Sequence, residues 1–112
     1  MEKPSVSIIT VVYNACDLLQ GTMASVFEQS WPHIEYIVVD GGSTDGTTEL
    51  IRAQAGRISR WVSEPDKGLY DAMNKGLRMA TGDFVWFLNA GDRLFTPDTV
   101  ERVMEKCTAQ TD

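Results

Sequence analysis

A run of five consecutive apolar residues, FVWFL at positions 84–88, constrains the fold of this chain most. A strand with one face in solvent alternates apolar and polar residues, so an unbroken run predicts a strand that is covered on both faces. The polar turn NAGD, residues 89–92, follows the run directly. Ligands of open parallel sheets bind at the carboxyl ends of the strands, so this turn is placed to hold a ligand.

The rest of the chain alternates between strand patterns and helix patterns. Runs rich in β-branched residues predict further strands at residues 7–13, 34–39 and 58–62. Apolar residues recur at helical spacing over residues 18–29, 49–51, 69–80 and 96–107. This order predicts an α/β fold with an open parallel sheet and helices on both faces. Because both runs are apolar without alternation, we expect the strands that contain Ile8 and Phe84 to be central and adjacent.

Composition narrows the classes of ligand and of cellular compartment. The 112 residues suffice for one domain, which we assign to residues 1–112, and the net charge of −6 argues against nucleic-acid binding. An anionic ligand would need a metal ion to offset nearby carboxylates. Cys16 and Cys107 match no metal-binding spacing, which is typical of free thiols in a reduced compartment. With no signal-peptide pattern and no apolar run of ~20 residues, the expected location is cytoplasmic.

Polar residues follow the first and second strands as well, at residues 14 and 40–46. The second of these turns, DGGSTDG, is a carboxylate followed by glycines, which allow a backbone to approach phosphate or ribose oxygens closely. The same residues could equally form only a tight turn before a helix, and the pattern alone leaves both readings open. The turn matches neither the GxGxxG dinucleotide fingerprint nor the GxxxxGK[ST] P-loop, and it does not complete a calcium loop.

Four motifs, in this order, resemble the nucleotide-sugar-binding half of family-two glycosyltransferases with the GT-A fold. SIITVVYN (residues 7–14) resembles the opening strand of that family, and IVVDGGSTDGT (residues 37–47) resembles its second-strand signature, commonly VDDGSxDGT. DKGLYDAMNKG (residues 66–76) resembles the helix before the metal loop in bacterial polysaccharide-assembly members. FLNAGD (residues 87–92) lies where the family keeps its DxD-type motif. The resemblance covers about residues 5–100.

The resemblance implies a set of nucleotide-binding residues. Val11 and Tyr13 would line the base and the ribose, partly through backbone groups. Asp40 would accept a hydrogen bond from the nucleotide base, which is uracil in many members. Gly41 and Gly42 would line the cleft beside it.

Two charged residues ahead of the third helix are further candidates. Asp66 and Lys67 precede the helix start at Gly68 and would reach the nucleotide or its phosphates. The competing interpretation is that both are solvated charges in a turn that contains Pro65. For Lys75, within the helix, we expect a surface or capping role.

The resemblance also implies a divalent cation, Mg²⁺ or Mn²⁺. Asp92 would coordinate the ion, which would bridge the two phosphates and neutralise charge on the leaving diphosphate. Asn89 and Gly91 replace acidic residues of the fuller motif, although Asn89 can still offer a carbonyl oxygen. We therefore expect weaker metal binding than in acid-rich relatives.

Together these features predict a glycosyltransferase that transfers a sugar from a nucleotide-diphosphate donor to a hydroxyl of a glycan or lipid-linked acceptor, with metal assistance and inversion. The base that deprotonates the acceptor lies well downstream of the metal loop in this family, so this chain would supply the donor-binding half and would not transfer sugar alone. Any peripheral association with a membrane would involve parts outside this chain. Two alternatives remain: a catalytically inactive nucleotide-binding module, and a flavodoxin-like or receiver-type signalling domain. The missing acidic pair after the first strand counts against a receiver.

Overall fold

The computed structural model describes residues 3–109. Each predicted strand and helix is present, with ends that differ from the prediction by a few residues, as is usual for element boundaries. The elements in chain order are β1 (Val6–Val12), α1 (Cys16–Phe27), β2 (Ile34–Asp40), α2 (Thr47–Ala53), β3 (Arg60–Ser63), α3 (Leu69–Met79), β4 (Phe84–Phe87) and α4 (Thr99–Ala109), with a 3₁₀ turn at Ala55–Arg57.

The four strands form one sheet in the order β3-β2-β1-β4, and every neighbouring pair is parallel. In the register of the sheet, Ile8 lies between Tyr36 of β2 and Trp86 of β4. Parallel neighbours require a crossover connection, and here each crossover contains a helix. The predicted α/β fold with an open parallel sheet is therefore confirmed.

Helices cover both faces of the sheet, as predicted. All seven residues of β1 are buried, and successive side chains point to opposite faces. Ile8 packs in the cluster that contains the buried residues of α1, α2 and α4. Ile9 packs in the smaller cluster on the other face, together with Ala72 of α3. None of the helices in residues 3–109 has the length and apolar character needed to cross a bilayer.

The position of β4 differs from the prediction. Its pairing with β1 is confirmed, but β4 forms an edge of the sheet among residues 3–109, and β2 is the second interior strand. Phe84 and Val85 are 38% and 43% exposed, so β4 is not covered on both faces along its length. The prediction was wrong because an apolar run reports the character of the two strand faces and not the number of strands that pair beside them.

Gly76 brings α3 close to the sheet. A Cβ at this position would lie 2.5 Å from Cγ2 of Ile9, so any larger residue would push the helix away from β1. Ala72, one turn earlier, is also buried. Leu69 and Leu77 of the predicted apolar stripe are instead about half exposed, at 53% and 44%. The close packing places the beginning of α3 beside the carboxyl end of β1.

Candidate functional site

A cleft of about 330 Å³ opens at the carboxyl edge of the sheet. Its wall is mainly apolar and includes one carboxylate and one side-chain amide. The lining residues come from the end of β1, from the segment that leads into α3 and from the turn after β4. They are Val11, Val12, Tyr13, Asp66, Gly68, Leu69, Ala72 and Asn89. The carboxylate follows β3 and the amide follows β4, so they lie on opposite sides of β1 in the order of the sheet.

The end of β1 holds the turns that follow both neighbouring strands. The backbone N–H of Gly41 donates to the carbonyl of Val12 at 3.0 Å, and the N–H of Ala90 donates to the carbonyl of Val11 at 3.1 Å. Tyr13 follows directly, with 63% of its surface exposed. The three predicted strand ends therefore converge at one edge of the sheet, with β1 between the other two.

Asn14, which was not among the predicted site residues, ties the end of β1 to the glycine-rich turn. Its Oδ1 accepts the N–H of Thr44 at 2.8 Å, and its own N–H donates to Oγ of Ser43 at 2.8 Å. The backbone of Asn14 has φ 46°, in the left-handed region that asparagine tolerates better than most residues. An asparagine directly after a buried strand is the signal that could have identified it.

Asp45 fixes the starts of two helices from the same turn. Its carboxylate accepts the backbone N–H of Thr47 at 3.0 Å and that of Cys16 at 3.2 Å, and it also accepts the Thr47 hydroxyl. These bonds, the Thr47 hydroxyl above all, lower the pKa of Asp45 below its ordinary value because they stabilise the charged form.

The carboxylate of Asp40 lies beneath the turn and is completely buried. It accepts four hydrogen bonds from its own chain. The donors are the backbone N–H of Ser43 at 3.2 Å, the Ser43 hydroxyl at 2.5 Å, the Thr48 hydroxyl at 3.0 Å and the Ser63 hydroxyl at 2.7 Å. Asp40 therefore joins the turn to α2 and to the end of β3. It is not part of the cleft lining, where it was expected.

The structure favours glycine at each of the two positions after Asp40, for a different reason at each. Gly42 has φ +86°, and a Cβ there would lie 3.3 Å from the backbone nitrogen of Pro65. Gly41 has no left-handed conformation, but a Cβ there would lie 2.7 Å from Oδ2 of Asp66 and 3.3 Å from Cδ1 of Tyr13. Gly41 therefore leaves open the space that the Asp66 carboxylate occupies.

Asp66 is the carboxylate of the cleft. It is half-buried, and its Oδ1 accepts the backbone N–H of Gly68 at 3.1 Å, which shapes the entry to α3. Its Oδ2 accepts no hydrogen bond from residues 3–109 and lies beside Gly41. The side chain therefore has one oxygen engaged in structure and one oxygen available to a ligand.

Lys75 holds the segment that carries Asp66. Its Nζ donates to the carbonyl of Pro65 at 3.0 Å and forms ion pairs with Glu64 at 3.3 Å and Asp71 at 3.6 Å. The carboxylate of Asp71 also accepts the N–H of Lys67 at 2.9 Å, and this bond, followed by the charge of Lys75, lowers the pKa of Asp71. The side chain of Lys75 is only 14% exposed, so its predicted surface role is better described as anchoring of this loop.

The turn after β4 presents two side chains, Asn89 and Asp92, with oxygens that have no hydrogen-bond partner among the described residues. Oδ1 of Asn89 is buried and has no hydrogen-bond partner among the described residues. The exposed carboxylate of Asp92 accepts no hydrogen bond from that part of the chain either, while its backbone carbonyl accepts the Thr22 hydroxyl at 2.7 Å. The Thr22 hydroxyl in turn accepts the N–H of Gly91 at 2.9 Å. The backbone of this turn is therefore fixed to α1, and its side-chain oxygens are not used.

These side-chain oxygens fit the predicted divalent cation in part. A buried carbonyl oxygen without a partner costs about 1–3 kcal/mol, which a cation or a ligand donor would recover. Mg²⁺ and similar hard cations take oxygen ligands and commonly use only one or two carboxylates, with water and phosphate completing the shell. Within residues 3–109 no cluster of three acidic, histidine or cysteine residues could hold a metal alone. The donor set therefore suits a cation that a bound diphosphate shares.

The predicted site residues thus separate into two groups. Val11, Tyr13, Asp66 and Asn89 line the cleft, and Gly41 adjoins it through Asp66. The remaining ones, which are not in the lining, are Asp40, Gly42, Lys67 and Asp92. Asp40 lies below the turn, and the other three lie on segments that border the cleft. Their roles toward a nucleotide or a metal stay predictions.

Comparison with known proteins places these features in a family. A family model described as glycosyl transferase family 2 matches residues 7–112. An uncharacterized glycosyltransferase of Mycobacterium tuberculosis is 45% identical over 103 residues, which are 91% of this chain and 39% of that protein. A putative teichuronic acid biosynthesis glycosyltransferase of Bacillus subtilis is 41% identical over 106 residues, covering 92% of this chain and 42% of the relative. The chain therefore spans about two fifths of the length of these relatives.

Solved structures show the same architecture. A mannosyltransferase of Pyrobaculum calidifontis, in complex with GDP-Man and Mn²⁺, superposes with a TM-score of 0.83 at 28% identity. That match covers 99% of this chain and 33% of the other. TarS of S. aureus superposes with a TM-score of 0.84 at 23% identity, over 94% of this chain and 31% of the other, which supports the fold alone.

Proposed function

The chain belongs to glycosyl transferase family 2, and from that premise we propose that it forms the donor-binding half of an enzyme that transfers a sugar from a nucleotide-diphosphate donor to an acceptor hydroxyl. The observation that carries the proposal is the cleft at the carboxyl ends of β1 and β4. It combines apolar walls, which suit a base and a ribose, with Asn89 on the β4 side, whose unpaired Oδ1 suits a cation.

The cleft residues have distinct tasks in this proposal. Tyr13 and Leu69 offer exposed apolar surface against which the base and ribose pack, and the buried Val11 also lines the cleft. Gly41 and Gly42 allow the backbone of the turn to approach the ligand. Asp40 acts indirectly, because its four hydrogen bonds hold that turn in place.

Asp92 and Asn89 would hold a divalent cation, Mg²⁺ or Mn²⁺. When bound, such an ion supplies a positive charge that offsets the negative charge on the leaving diphosphate. The relative of known structure that binds GDP-Man together with Mn²⁺ supports this assignment. Asn89 contributes its unpaired Oδ1, and Asp92 contributes an exposed carboxylate.

We propose a glycan or lipid-linked hydroxyl as the acceptor and inversion at the sugar carbon. Inverting transfer requires a base on the acceptor side of the donor. The cleft lining contains one carboxylate, Asp66, and that group faces the β2 side. The base would therefore come from outside the described residues. Both cysteines are free, which fits the reducing cytoplasm that we propose as the compartment.

A transfer and binding assay tests this proposal. Thermal unfolding of the purified 112-residue chain with UDP, GDP, CDP or ADP should shift upward for at least one nucleotide, and more with Mn²⁺ than with EDTA. A labelled-donor assay should show no sugar transfer by the 112 residues alone and transfer by a longer protein that contains them. Absence of any nucleotide-dependent shift would overturn the proposed function. Binding without transfer by the longer protein would favour the catalytically inactive nucleotide-binding module.

A further inference from the structure

We infer that Asp66, rather than the buried Asp40, recognises the nucleobase, and that its Oδ2 accepts the ring N–H of uracil or guanine. This inference rests on the proposed function and assigns the base selectivity of the same cleft to one residue.

Both carboxylate oxygens of Asp40 are already engaged within the chain, and the residue is completely buried. Its Oδ2 accepts three hydrogen bonds, and its Oδ1 accepts the Ser43 hydroxyl. A base could reach it only if hydroxyl donors such as Ser43 and Ser63 moved away. Each displaced donor would then lose its own partner, and the free energy gained from the new bond to the base would not exceed that loss.

Asp66 has the opposite arrangement. Its Oδ1 is held by the N–H of Gly68 at 3.1 Å, which fixes the orientation of the carboxylate. The loop is fixed by Lys75 through the carbonyl of Pro65, and the N–H of Glu64 donates to the carbonyl of Asp40 at 3.0 Å. Oδ2 is left without a partner in residues 3–109 and lies beside Gly41, and Asp66 is one of the residues that line the cleft. A pre-oriented acceptor of this kind recognises a donor without further ordering of the protein.

The order of the strands gives the orientation of the nucleotide. Asp66 follows β3 and adjoins the turn after β2, whereas Asn89 and Asp92 follow β4, on the other side of β1. Neighbouring strands are about 4.8 Å apart, so the carboxyl ends of β2 and β4, which lie two strands apart, are separated by about 10 Å. The negative charge of Asp66 repels phosphate, while the unpaired oxygens beyond β4 suit a cation. The base therefore lies toward Asp66 and the diphosphate toward Asn89.

A carboxylate in this position discriminates between bases. Uracil and guanine carry a ring N–H at the centre of the pairing edge, which Oδ2 can accept. Cytosine and adenine carry a ring nitrogen acceptor there, which a carboxylate repels. A site that is built to accept a donor rejects analogues that lack it, because the buried polar group stays unpaired.

Gly41 supplies an independent argument. A Cβ on Gly41 would lie 2.7 Å from Oδ2 of Asp66, so a side chain at 41 and the carboxylate at 66 compete for one space. Glycine at position 41 therefore leaves this space free, and the carboxylate of Asp66 occupies it.

The first test is the variant Asp66→Asn, which keeps an oxygen for the N–H of Gly68 and replaces the free oxygen by an amide donor. Calorimetry with UDP, GDP, CDP and ADP in Mn²⁺ should show that the wild type prefers UDP or GDP by at least about 10-fold. Asp66→Asn should weaken binding of that preferred nucleotide by about 10- to 100-fold and leave CDP and ADP binding unchanged or stronger. Glu28→Gln, which removes one charge at the far end of α1, should change none of these affinities. Retained selectivity in Asp66→Asn would overturn the inference.

The second test moves the carboxylate between the two positions. Gly41→Asp alone should abolish selective binding, because two carboxylates would then meet in one space. Gly41→Asp combined with Asp66→Gly should recover preference for the same nucleotide at least 5-fold above that of Asp66→Gly alone. If the double variant gives no recovery, position 66 does not act through a carboxylate in this space. A wild type that binds no nucleoside diphosphate would instead contradict the proposed function, so the two failures are distinguishable.

Discussion

The two sides of the cleft use their polar groups in opposite ways. On the β2 side, the carboxylates of Asp40 and Asp45 accept hydrogen bonds from the chain itself, and Lys75 holds the loop before α3, although Oδ2 of Asp66 in that loop stays unpaired within residues 3–109. On the β4 side, the backbone turn is anchored to Thr22, but Oδ1 of Asn89 and the carboxylate of Asp92 have no partner in the described residues.

This difference indicates that the polar groups on the β2 side obtain their partners when the chain folds, whereas those on the β4 side obtain theirs when a ligand binds. A fully bonded network resists rearrangement and so can position one acceptor, Oδ2 of Asp66, with little entropic cost on binding. The unpaired side-chain oxygens of Asn89 and Asp92 would gain a partner from a cation bound together with a diphosphate. Substitutions on the β2 side should therefore change mainly the stability of the fold, and substitutions on the β4 side should change mainly ligand binding.

The largest expected effect is on stability, at Asp40. Asp40→Ala should lower the free energy of unfolding by about 2–4 kcal/mol, because it strands the donors of Ser43, Thr48 and Ser63 beside a buried cavity. Urea unfolding followed by circular dichroism measures the loss. Asp92→Ala on the opposite side is the matched control and should change stability by less than about 0.5 kcal/mol. Similar losses for both variants would remove the contrast between the two sides.

The second effect is on binding, at Asp92. Asp92→Asn should weaken Mn²⁺-dependent binding of the preferred nucleoside diphosphate by about 10-fold or more, because it removes the one carboxylate proposed to face the cation. Calorimetry in Mn²⁺ and in EDTA separates this effect from direct nucleotide contacts. The affinity in EDTA should not change. An unaltered affinity in Mn²⁺ would exclude Asp92 as a metal ligand.

The third effect tests the backbone of the glycine-rich turn. Gly42→Ala should destabilise the protein by about 1–2 kcal/mol, because φ +86° is unfavourable for a residue with a Cβ. Gly56→Ala is the control, since a Cβ at Gly56 meets no atom within 4 Å and its φ lies outside the left-handed region. Thermal unfolding should show a lower melting temperature for the first variant and an unchanged or slightly higher one for the second.

The smallest effect concerns pH. The folded pKa of Asp45 lies below its ordinary value of 3.8, so its hydrogen bonds contribute stability above that pH and lose it as the pH falls through the folded pKa. Asp45→Asn should therefore be less stable than the wild type at neutral pH, and the difference should narrow as the pH falls below about 4. Urea unfolding at a series of pH values checks this, and a difference that stays constant would contradict it.

Much of the fold was predictable because it depends on local patterns. Apolar runs and helical spacing identified every strand and helix, and their alternation predicted a parallel sheet with helices on both faces. The strand ends also predicted which segments converge. These properties follow from the period of the side chains along each element and from the rule that parallel strands end at one edge. The resemblance to the family, rather than the strand pattern, singled out Val11, Tyr13, Asp66 and Asn89, which line the cleft.

The tertiary structure alone decided the lateral position of β4 and the direction of the acidic side chains. Hydrophobicity along a strand does not report its neighbours, so β4 could not be distinguished from an interior strand. Whether Asp40 or Asp66 faces the cleft depends on Ser63 and Gly41, which are 23 residues beyond Asp40 and 25 residues before Asp66. A carboxylate turns toward the donors that folding brings to it, and that set of donors exists only once the strands have paired.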